Sequence, residues 1–209
     1  MNKKSKLKTY FDLKHEDSDY IETYEKNINF FNDLLKTGHT EDIEYVIPIK
    51  MYKYADCYNR LNRYKKALEI IDEIESDLEK IKGQSKFYNQ YRESLCFLRG
   101  VCLGRLKKFR ASNDEFLKLL RKPPYNVRYI EWFKSNKQNY IGAIFNKIAI
   151  ISMIYYFIML ILGFKYKQLD NFIIRDLGIV IALVSYAISF IWRITIDKSN
   201  FSLNSIEDK

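Results

Sequence analysis

The chain has 209 residues, which allows one soluble domain of ordinary size plus a small membrane segment and excludes a large multidomain protein. Its 35 lysine and arginine residues outnumber 26 aspartate and glutamate residues, giving a formal charge of +9. The two histidines and three cysteines lack metal-ligand spacing and no glycine-rich phosphate loop is present, which argues against a zinc scaffold and an NTPase.

The first sixteen residues form a basic and polar segment. Four lysines, at positions 3, 4, 6 and 8, precede Thr9 and Tyr10 without the apolar stretch that a secretory signal requires. We therefore expect the soluble part of the chain to lie in the cytoplasm.

Residues 17–139 show the apolar periodicity of α-helices and no convincing strand pattern, which predicts an all-α domain. A first helix is expected from about Asp17 to Lys36, ended by Gly38. Thr40 is expected to cap the next helix, which Pro48 kinks or delays. Further helices are predicted at about Arg63–Lys82, Ser85–Leu106 and Phe109–Arg121.

Two segments of this domain resemble each other around a turn between helices. The small and aromatic residues of the first are Ala55, Tyr58, Leu61, Tyr64 and Ala67. Their counterparts in the second are Gly100, Leu103, Leu106, Phe109 and Ser112, followed by Pro124. The pattern resembles the tetratricopeptide repeat family, in which small residues let two antiparallel helices approach closely. Gly100 follows Ala55 by 45 positions instead of about 34, so longer helices are expected, and a generic solenoid of helical hairpins is the alternative.

The resemblance implies a groove, lined by the first helix of each pair, that binds a peptide or helix of another protein. On the repeat match Tyr54, Asn59, Arg92 and Arg99 lie on those helices, where polar side chains could clamp a carboxylate or an acidic peptide. The alternative for each is an ordinary surface residue. Neither histidine lies beside a nucleophile and the acidic stretch Asp72–Glu79 is typical of a solvated face, so we expect no enzyme, metal site or cofactor. The three cysteines, Cys57, Cys96 and Cys102, are predicted to be reduced core thiols.

Basic residues are concentrated between Arg99 and Lys137. This stretch contains eleven basic and three acidic residues, a surplus of eight positive charges. Such enrichment beside a membrane span marks the cytoplasmic side and attracts anionic lipid headgroups, at about 1 kcal/mol per residue. The membrane-proximal basic residues are Arg121, Lys122, Arg128, Lys134, Lys137 and Lys147. No nucleic-acid-binding signature accompanies them, so lipid contact is favoured over a nucleic-acid partner.

Two uncharged apolar runs, Ile148–Phe164 and Leu177–Trp192, lie on either side of a short polar loop. Both lack the polar stripe of a helix on the surface of a soluble protein. With their flanking residues they predict two transmembrane helices, and both termini would then be cytoplasmic. A buried helical hairpin in a soluble bundle is the alternative, although the rest of the chain is too small to enclose one.

These patterns predict an all-α protein in which a tetratricopeptide-like helical-hairpin solenoid precedes a transmembrane helical hairpin. The expected boundaries are 1–16 for the N-terminal segment, 17–139 for the helical domain, 140–196 for the hairpin with spans at about 141–164 and 173–194, and 197–209 for a polar tail.

A stripe of small residues on the second predicted span comprises Gly178, Ala182, Ser185 and Ser189, which recur about every fourth position. It predicts packing within the hairpin or, alternatively, packing between protomers of a homo-oligomer. The leading functional hypothesis is a membrane-anchored adaptor that recruits a protein or peptide to the cytoplasmic membrane face. The alternative is a membrane-perturbing effector of the pore-forming, toxin or defence type, whose helical domain senses a signal and whose hairpin oligomerises.

Overall fold

A computed structural model describes residues 3–121, 126–165, 179–188 and 190–191 of the chain. These residues form helices and no strands, which confirms the all-α prediction. The chain divides into two compact units, Met1–Tyr129 and Ile130–Lys209.

The first unit is built from helices joined by tight turns, and the last of them continues into the second unit. They are α1 (Lys3–Asp12), α2 (Asp17–Lys26), α3 (Ile28–Lys36), α4 (Thr40–Lys50), a π-helical turn (Met51–Ala55), α5 (Asp56–Arg60), α6 (Tyr64–Glu79), α7 (Tyr88–Arg105), α8 (Phe109–Leu120) and α9 (Val127–Lys165).

The N-terminal part of this unit adds two features that the sequence patterns did not reveal. The basic segment contains helix α1, whose Leu7 and Phe11 are buried in the core. The helix predicted from Asp17 to Lys36 is interrupted at Asn27, whose side-chain amide donates to the carbonyl of Thr23 over 2.9 Å. The break divides the one predicted helix into two, α2 and α3.

An aromatic stack holds α2, α3 and the π turn together. The ring of Tyr24 lies between those of Phe31 and Tyr54, at centroid distances of 4.6 and 4.2 Å and with nearly parallel planes. All three side chains are buried. Aromatic pairs in such geometry add about 0.5–1.5 kcal/mol to stability beyond the burial of their area, so the stack stabilises this part of the core.

Helix α4 begins at Thr40, as predicted, and Pro48 lies inside it. The predicted cap is wrong, because His39 occupies the N-cap position and the hydroxyl of Thr40 donates to Gln84 over 2.8 Å. Because proline has no backbone N–H, the α-helical bond to the carbonyl of Glu44 is not made. Three residues later the chain widens into the π turn, where the N–H of Asp56 donates to the carbonyl of Met51, five residues earlier. The irregularity of this long helical segment therefore lies mainly after the proline.

Two helix-to-helix turns, 45 positions apart, share one geometry. Asn62 and Lys107 occupy corresponding places, and both have φ = 61° in the left-handed region. In each turn the left-handed residue donates its N–H to the carbonyl three residues earlier, and the next residue donates to the carbonyl five residues earlier, over 2.8–3.0 Å. This is the Schellman pattern of helix C-termini. The buried Cys57 and Cys102 are also 45 positions apart.

The helices that follow and precede these turns pack closely through small residues. A Cβ atom at Gly100 of α7 would lie 2.9 Å from ring carbons of Phe116 on α8, closer than real Cβ contacts. The hydroxyl of Ser112 donates to the carbonyl of Gly100 over 2.6 Å. Ala55 and Ala67 are fully buried in the preceding pair. The small residues lie at buried positions, as the pattern required, while membership of the tetratricopeptide family stays a prediction.

The second unit contains most of α9, and its segment Val127–Leu162 is the one stretch among the described residues long and apolar enough to cross a membrane. A shorter apolar helix of ten residues, α10, covers Ile179–Ile188. The first predicted span, 141–164, lies within α9. Much of the second, 173–194, lies outside the described residues, so a two-span hairpin stays a prediction.

Candidate functional site

A groove of about 440 Å³ lies among α1, α4, the π turn and the start of α7. Helix α4 and helix α7 each begin one of the two helical pairs whose turns share the Schellman geometry. The groove is thus lined by the first helix of each pair, with α1 along one side. Its aromatic lining residues are Phe11, Tyr45, Tyr52, Phe87 and Tyr91.

Hydrogen bonds fix two of these rings. The hydroxyl of Tyr45 donates to the carbonyl of Lys4 over 2.9 Å, and that of Tyr52 donates to the hydroxyl of Ser94 over 2.9 Å. Burial raises the pKa of Tyr45 to about 12 and also raises the pKa of Tyr91. The phenols therefore stay neutral at physiological pH and present uncharged rings to the groove.

The charged lining is predominantly acidic. It comprises Asp12, Glu41 and Glu44 together with Lys8 and Lys53. The ammonium of Lys53 is directed at Tyr20, since its Nζ lies 3.0 Å from the hydroxyl and 4.2 Å from the ring centroid. The three carboxylates form no ion pair within the described part of the chain, although Glu44 accepts a hydrogen bond from Ser85. The groove therefore combines aromatic surface with a local excess of negative charge.

Two of the four predicted partner-binding residues make contacts within the core. Tyr54 belongs to the aromatic stack, and its hydroxyl donates to Glu25 over 3.2 Å. The amide of Asn59 donates to Asp56 over 3.1 Å, and its oxygen lies 3.6 Å from the sulfur of Cys102. Neither residue lines the groove.

The two predicted arginines differ from each other. Arg99 is largely buried and donates to Asp72 over 2.8 Å and to Glu75 over 2.7 Å, so its guanidinium ties α7 to α6. Hydrogen bonding from Arg99 holds the pKa of Glu75 below its usual value. Arg92 is exposed, and its guanidinium lies 3.4 Å from the hydroxyl of Tyr88. Arg99 thus already has two carboxylate partners, whereas Arg92 faces solvent.

A buried charge cluster was not predicted from the sequence. Lys50 is only 5% exposed, and its ammonium lies 2.9 Å from Glu73 and 3.5 Å from Asp77, which also pairs with Lys80 at 2.7 Å. A cavity of about 340 Å³ adjoins these groups. Of the acidic stretch Asp72–Glu79, Asp77 is therefore buried and paired, while Glu73 is mostly exposed. Every charge in the cluster has a partner, so we interpret it as a link between α4 and α6.

The cysteines are buried or half-buried thiols, and His15 packs against an aromatic ring. Cys57 and Cys102 are fully buried and Cys96 is half-buried, and all three are free thiols, as predicted. Burial raises the pKa of Cys57 and of Cys102 to about 12, which keeps both thiols protonated. His15 stacks on Tyr10 at 4.1 Å. The described residues contain no group of three or more side chains able to hold a metal ion.

The basic residues predicted near the membrane are largely exposed where they are described. Arg121, Lys137 and Lys147 face solvent, Lys134 is half-buried, and the guanidinium of Arg128 lies 5.4 Å from the ring centroid of Phe97. Lys122 lies outside the described residues.

Burial in the apolar helices is the reverse of burial in the first unit. The largest side chains are exposed, with Ile151 at 67% and Leu183 at 65%. Ser152 on α9 and Ala182 and Ser185 on α10 are buried. Gly178 and Ser189, the other members of the predicted stripe, lie outside the described residues. Small buried and large exposed side chains are typical of helices that contact each other through small residues and face lipid elsewhere.

Comparison of the chain with protein-family models, with curated proteins and with solved structures finds no match in any of the three. The fold and the candidate groove therefore have to be interpreted from the physical chemistry of this chain itself.

Proposed function

We propose that the protein is a membrane-anchored adaptor, without enzymatic activity, whose first unit is a tetratricopeptide-like solenoid that binds a segment of another protein. The observation that carries the proposal is the groove among α1, α4, the π turn and α7. A concave surface that combines aromatic rings with carboxylates without ion pairs offers both the apolar and the polar contacts that peptide binding uses. Tyr52, 41% exposed at this groove, is one of these rings.

We further propose that the chain crosses the membrane twice and that both termini are cytoplasmic. The apolar length of α9, the exposed isoleucines and the small buried residues of α10 support this arrangement. The exposed basic residues Arg121, Lys137 and Lys147 would contact anionic headgroups on the cytoplasmic side. A partner bound in the groove would thereby be held at the cytoplasmic membrane face.

Site-specific photocrosslinking in cells that express the full chain tests partner binding. A photoreactive amino acid at Tyr52 should capture a discrete protein, because this side chain is exposed at the groove. The matched control is Asp114, which is exposed on α8 and does not line the groove. Equal capture at the two positions, or none at either, would refute the adaptor function.

Reporter fusions test the topology. A reporter after Lys209 should be cytoplasmic, and one inserted between positions 165 and 171 should lie on the opposite side. A C-terminal reporter outside the cytoplasm would contradict the two-span arrangement.

A membrane-perturbing effector is the second candidate, favoured by the buried small residues Ala182 and Ser185 on α10. In that case purified protein should release dye from liposomes, and replacing both residues by isoleucine should reduce leakage and crosslinked multimers together. The adaptor proposal expects no leakage from the natural protein. Reproducible leakage that the double substitution suppresses would reverse the ranking of the two functions.

A further inference from the structure

We propose that the groove binds a short peptide segment whose lysine or arginine side chains are flanked by apolar residues. This inference rests on the proposed adaptor function and specifies the chemistry of the partner. It differs from the carboxylate or acidic peptide that the sequence pattern suggested, because neither Arg92 nor Arg99, the two arginines expected to clamp such a ligand, lines the groove, and Arg99 is already paired with Asp72 and Glu75.

Charge complementarity is the first argument. Although the chain carries a formal charge of +9, the groove is lined by three carboxylates and two lysines, and Lys53 is directed at Tyr20. Glu41 is exposed and has no ion-pair partner within the described ranges. In a partly desolvated groove, an arriving cation gains more from such a carboxylate than it would on an open surface.

The second argument is that helix α4 already binds a lysine through a carboxylate and an aromatic ring at the edge of the groove. The ammonium of Lys4 lies 2.8 Å from Asp42 and 4.9 Å from the ring centroid of Tyr45, so a carboxylate and an aromatic face hold it together. Tyr45 also lines the groove, where Glu41, Glu44 and Tyr52 supply further carboxylates and a further aromatic ring.

The apolar lining specifies the flanking residues. Phe11, Pro48, Ile49 and Phe87 contribute carbon surface next to the carboxylates. A volume of about 440 Å³ falls within the range of roughly 300–1,000 Å³ typical of ligand pockets, so the groove accommodates a few side chains and not a folded domain. An extended or helical peptide with alternating basic and apolar residues fits this surface best.

The test measures peptide binding to the full chain in an uncharged detergent, which removes competition from anionic lipids. Three labelled peptide pools share an apolar background of leucine, alanine and tyrosine and differ in carrying lysine and arginine, aspartate and glutamate, or serine. The basic pool should bind more tightly than the other two, and its affinity should fall as salt is raised.

Glu41→Gln should weaken binding of the basic pool about threefold to tenfold, since it removes one charge while keeping a side chain of similar size. Asp114→Asn is the matched control, because it makes the same charge change at an exposed site outside the groove. Tyr52→Ala should weaken binding, while Tyr52→Phe, which keeps the ring, should retain it. Unchanged melting of each variant would show that the fold is intact.

The outcomes separate the partner chemistry from the adaptor function. Preference for the acidic or serine pool, or equal effects of Glu41→Gln and Asp114→Asn, overturns the basic-peptide proposal and leaves an adaptor with another ligand. Binding of no pool also overturns it, and crosslinking from Tyr52 then decides separately whether the adaptor function stands. Crosslinking of Tyr52 to a second copy of this chain would show that the groove is an oligomer interface and overturn both.

Discussion

The two units of the molecule distribute the same kinds of side chain in opposite ways. In the first unit Phe31 and Ile43 are fully buried, and most charged residues lie at the surface, apart from buried and paired ones such as Lys50 and Asp77. In the described helices of the second unit, Ile150 and Ile151 are 60% and 67% exposed, while Ser152 and Ser185 are buried. One chain thus contains both a core of large apolar residues and helices whose buried residues include small ones.

If α9 spans a membrane, as we propose, burial in this chain follows the surrounding solvent as well as residue type. In water, moving large apolar side chains into a core supplies about 25 cal/mol per Å², so Phe31 is enclosed. Between helices in hydrocarbon this driving force is absent, and close contact through small residues becomes the main gain. The exposed isoleucines of α9 are what a helix long and apolar enough to cross a membrane would present to lipid.

The largest expected contrast comes from truncating one apolar side chain in each unit. Phe31→Ala should lower the free energy of unfolding by about 3–5 kcal/mol, because it leaves a cavity in the aromatic stack. Ile151→Ala should change it by less than about 0.5 kcal/mol, since that side chain is 67% exposed. Far-UV circular dichroism of the detergent-solubilised chain during denaturation measures both. A similar loss in the two variants would break the contrast.

A charge placed on each unit's exposed apolar surface sharpens the comparison. Ile151→Arg should oppose membrane insertion by about 2.5–3.5 kcal/mol, the cost of arginine near the centre of a span. Ile28→Arg changes an isoleucine that is 39% exposed in the first unit and should leave membrane association unchanged. Resistance to alkaline extraction measures the effect. Ile151→Arg that fractionates like the natural chain would show that this face does not contact lipid.

The close helix contacts of the first unit should be more sensitive to added volume than its exposed faces. Gly100→Leu and Ala55→Leu should each destabilise the protein by about 1–3 kcal/mol, because Phe116 leaves no space for a side chain at Gly100 and Ala55 is fully buried. Ala111→Leu, on the exposed face of α8, should be nearly neutral. Thermal melting distinguishes the three variants. Unchanged melting temperatures of Gly100→Leu and Ala55→Leu would contradict the placement of these two residues at close helix contacts.

The smallest expected effect concerns pH. A hydrogen bond from Arg60 lowers the pKa of Asp17, so the folded state holds this carboxylate ionised at a pH where the unfolded chain protonates it. The resulting stability is present above the unfolded pKa of about 3.9 and is lost as pH falls through the folded value.

Arg60→Met should therefore destabilise the first unit by less than about 1 kcal/mol at neutral pH, and the difference should fade in acid. The run Ile148–Phe164 contains no acidic or basic residue, so its membrane association should not respond over the same range. A difference between Arg60→Met and the natural chain that persists in acid would contradict the assignment to Asp17.

The sequence patterns predicted some helices better than others, for physical reasons. Helices α6 to α8 were anticipated within about three residues of each boundary, because their apolar faces are clear and left-handed turns separate them. The break at Asn27 was missed because apolar positions 21, 24, 28, 31 and 35 continue the helical period across it. A pattern of residue types records a helical face but not a local change in direction along it.

The groove could not be predicted for a different reason. Its rings come from α1, α4, the π turn and the start of α7, and a helical pattern describes one helix at a time. The ion pair of Arg99 with Asp72, 27 residues apart, is likewise visible only after folding. From the sequence alone, Tyr52 and Tyr91 cannot be distinguished from ordinary residues of amphipathic helices.

The π turn has a consequence for changes in chain length. Four residues recur at every fourth position and are fully buried, namely Ile43, Ile47, Met51 and Ala55. On an ideal helical wheel at about 100° per residue, positions twelve apart point about 120° away from each other, and the wide turn takes up part of that difference. Deleting one residue between 51 and 55 would leave Ile43 and Ala55 eleven positions apart, which is only about 20° on a regular helix, so the buried face would stay continuous without a π turn. The π turn thus accommodates one additional residue in this segment while Ile43 and Ala55 stay on the same buried face.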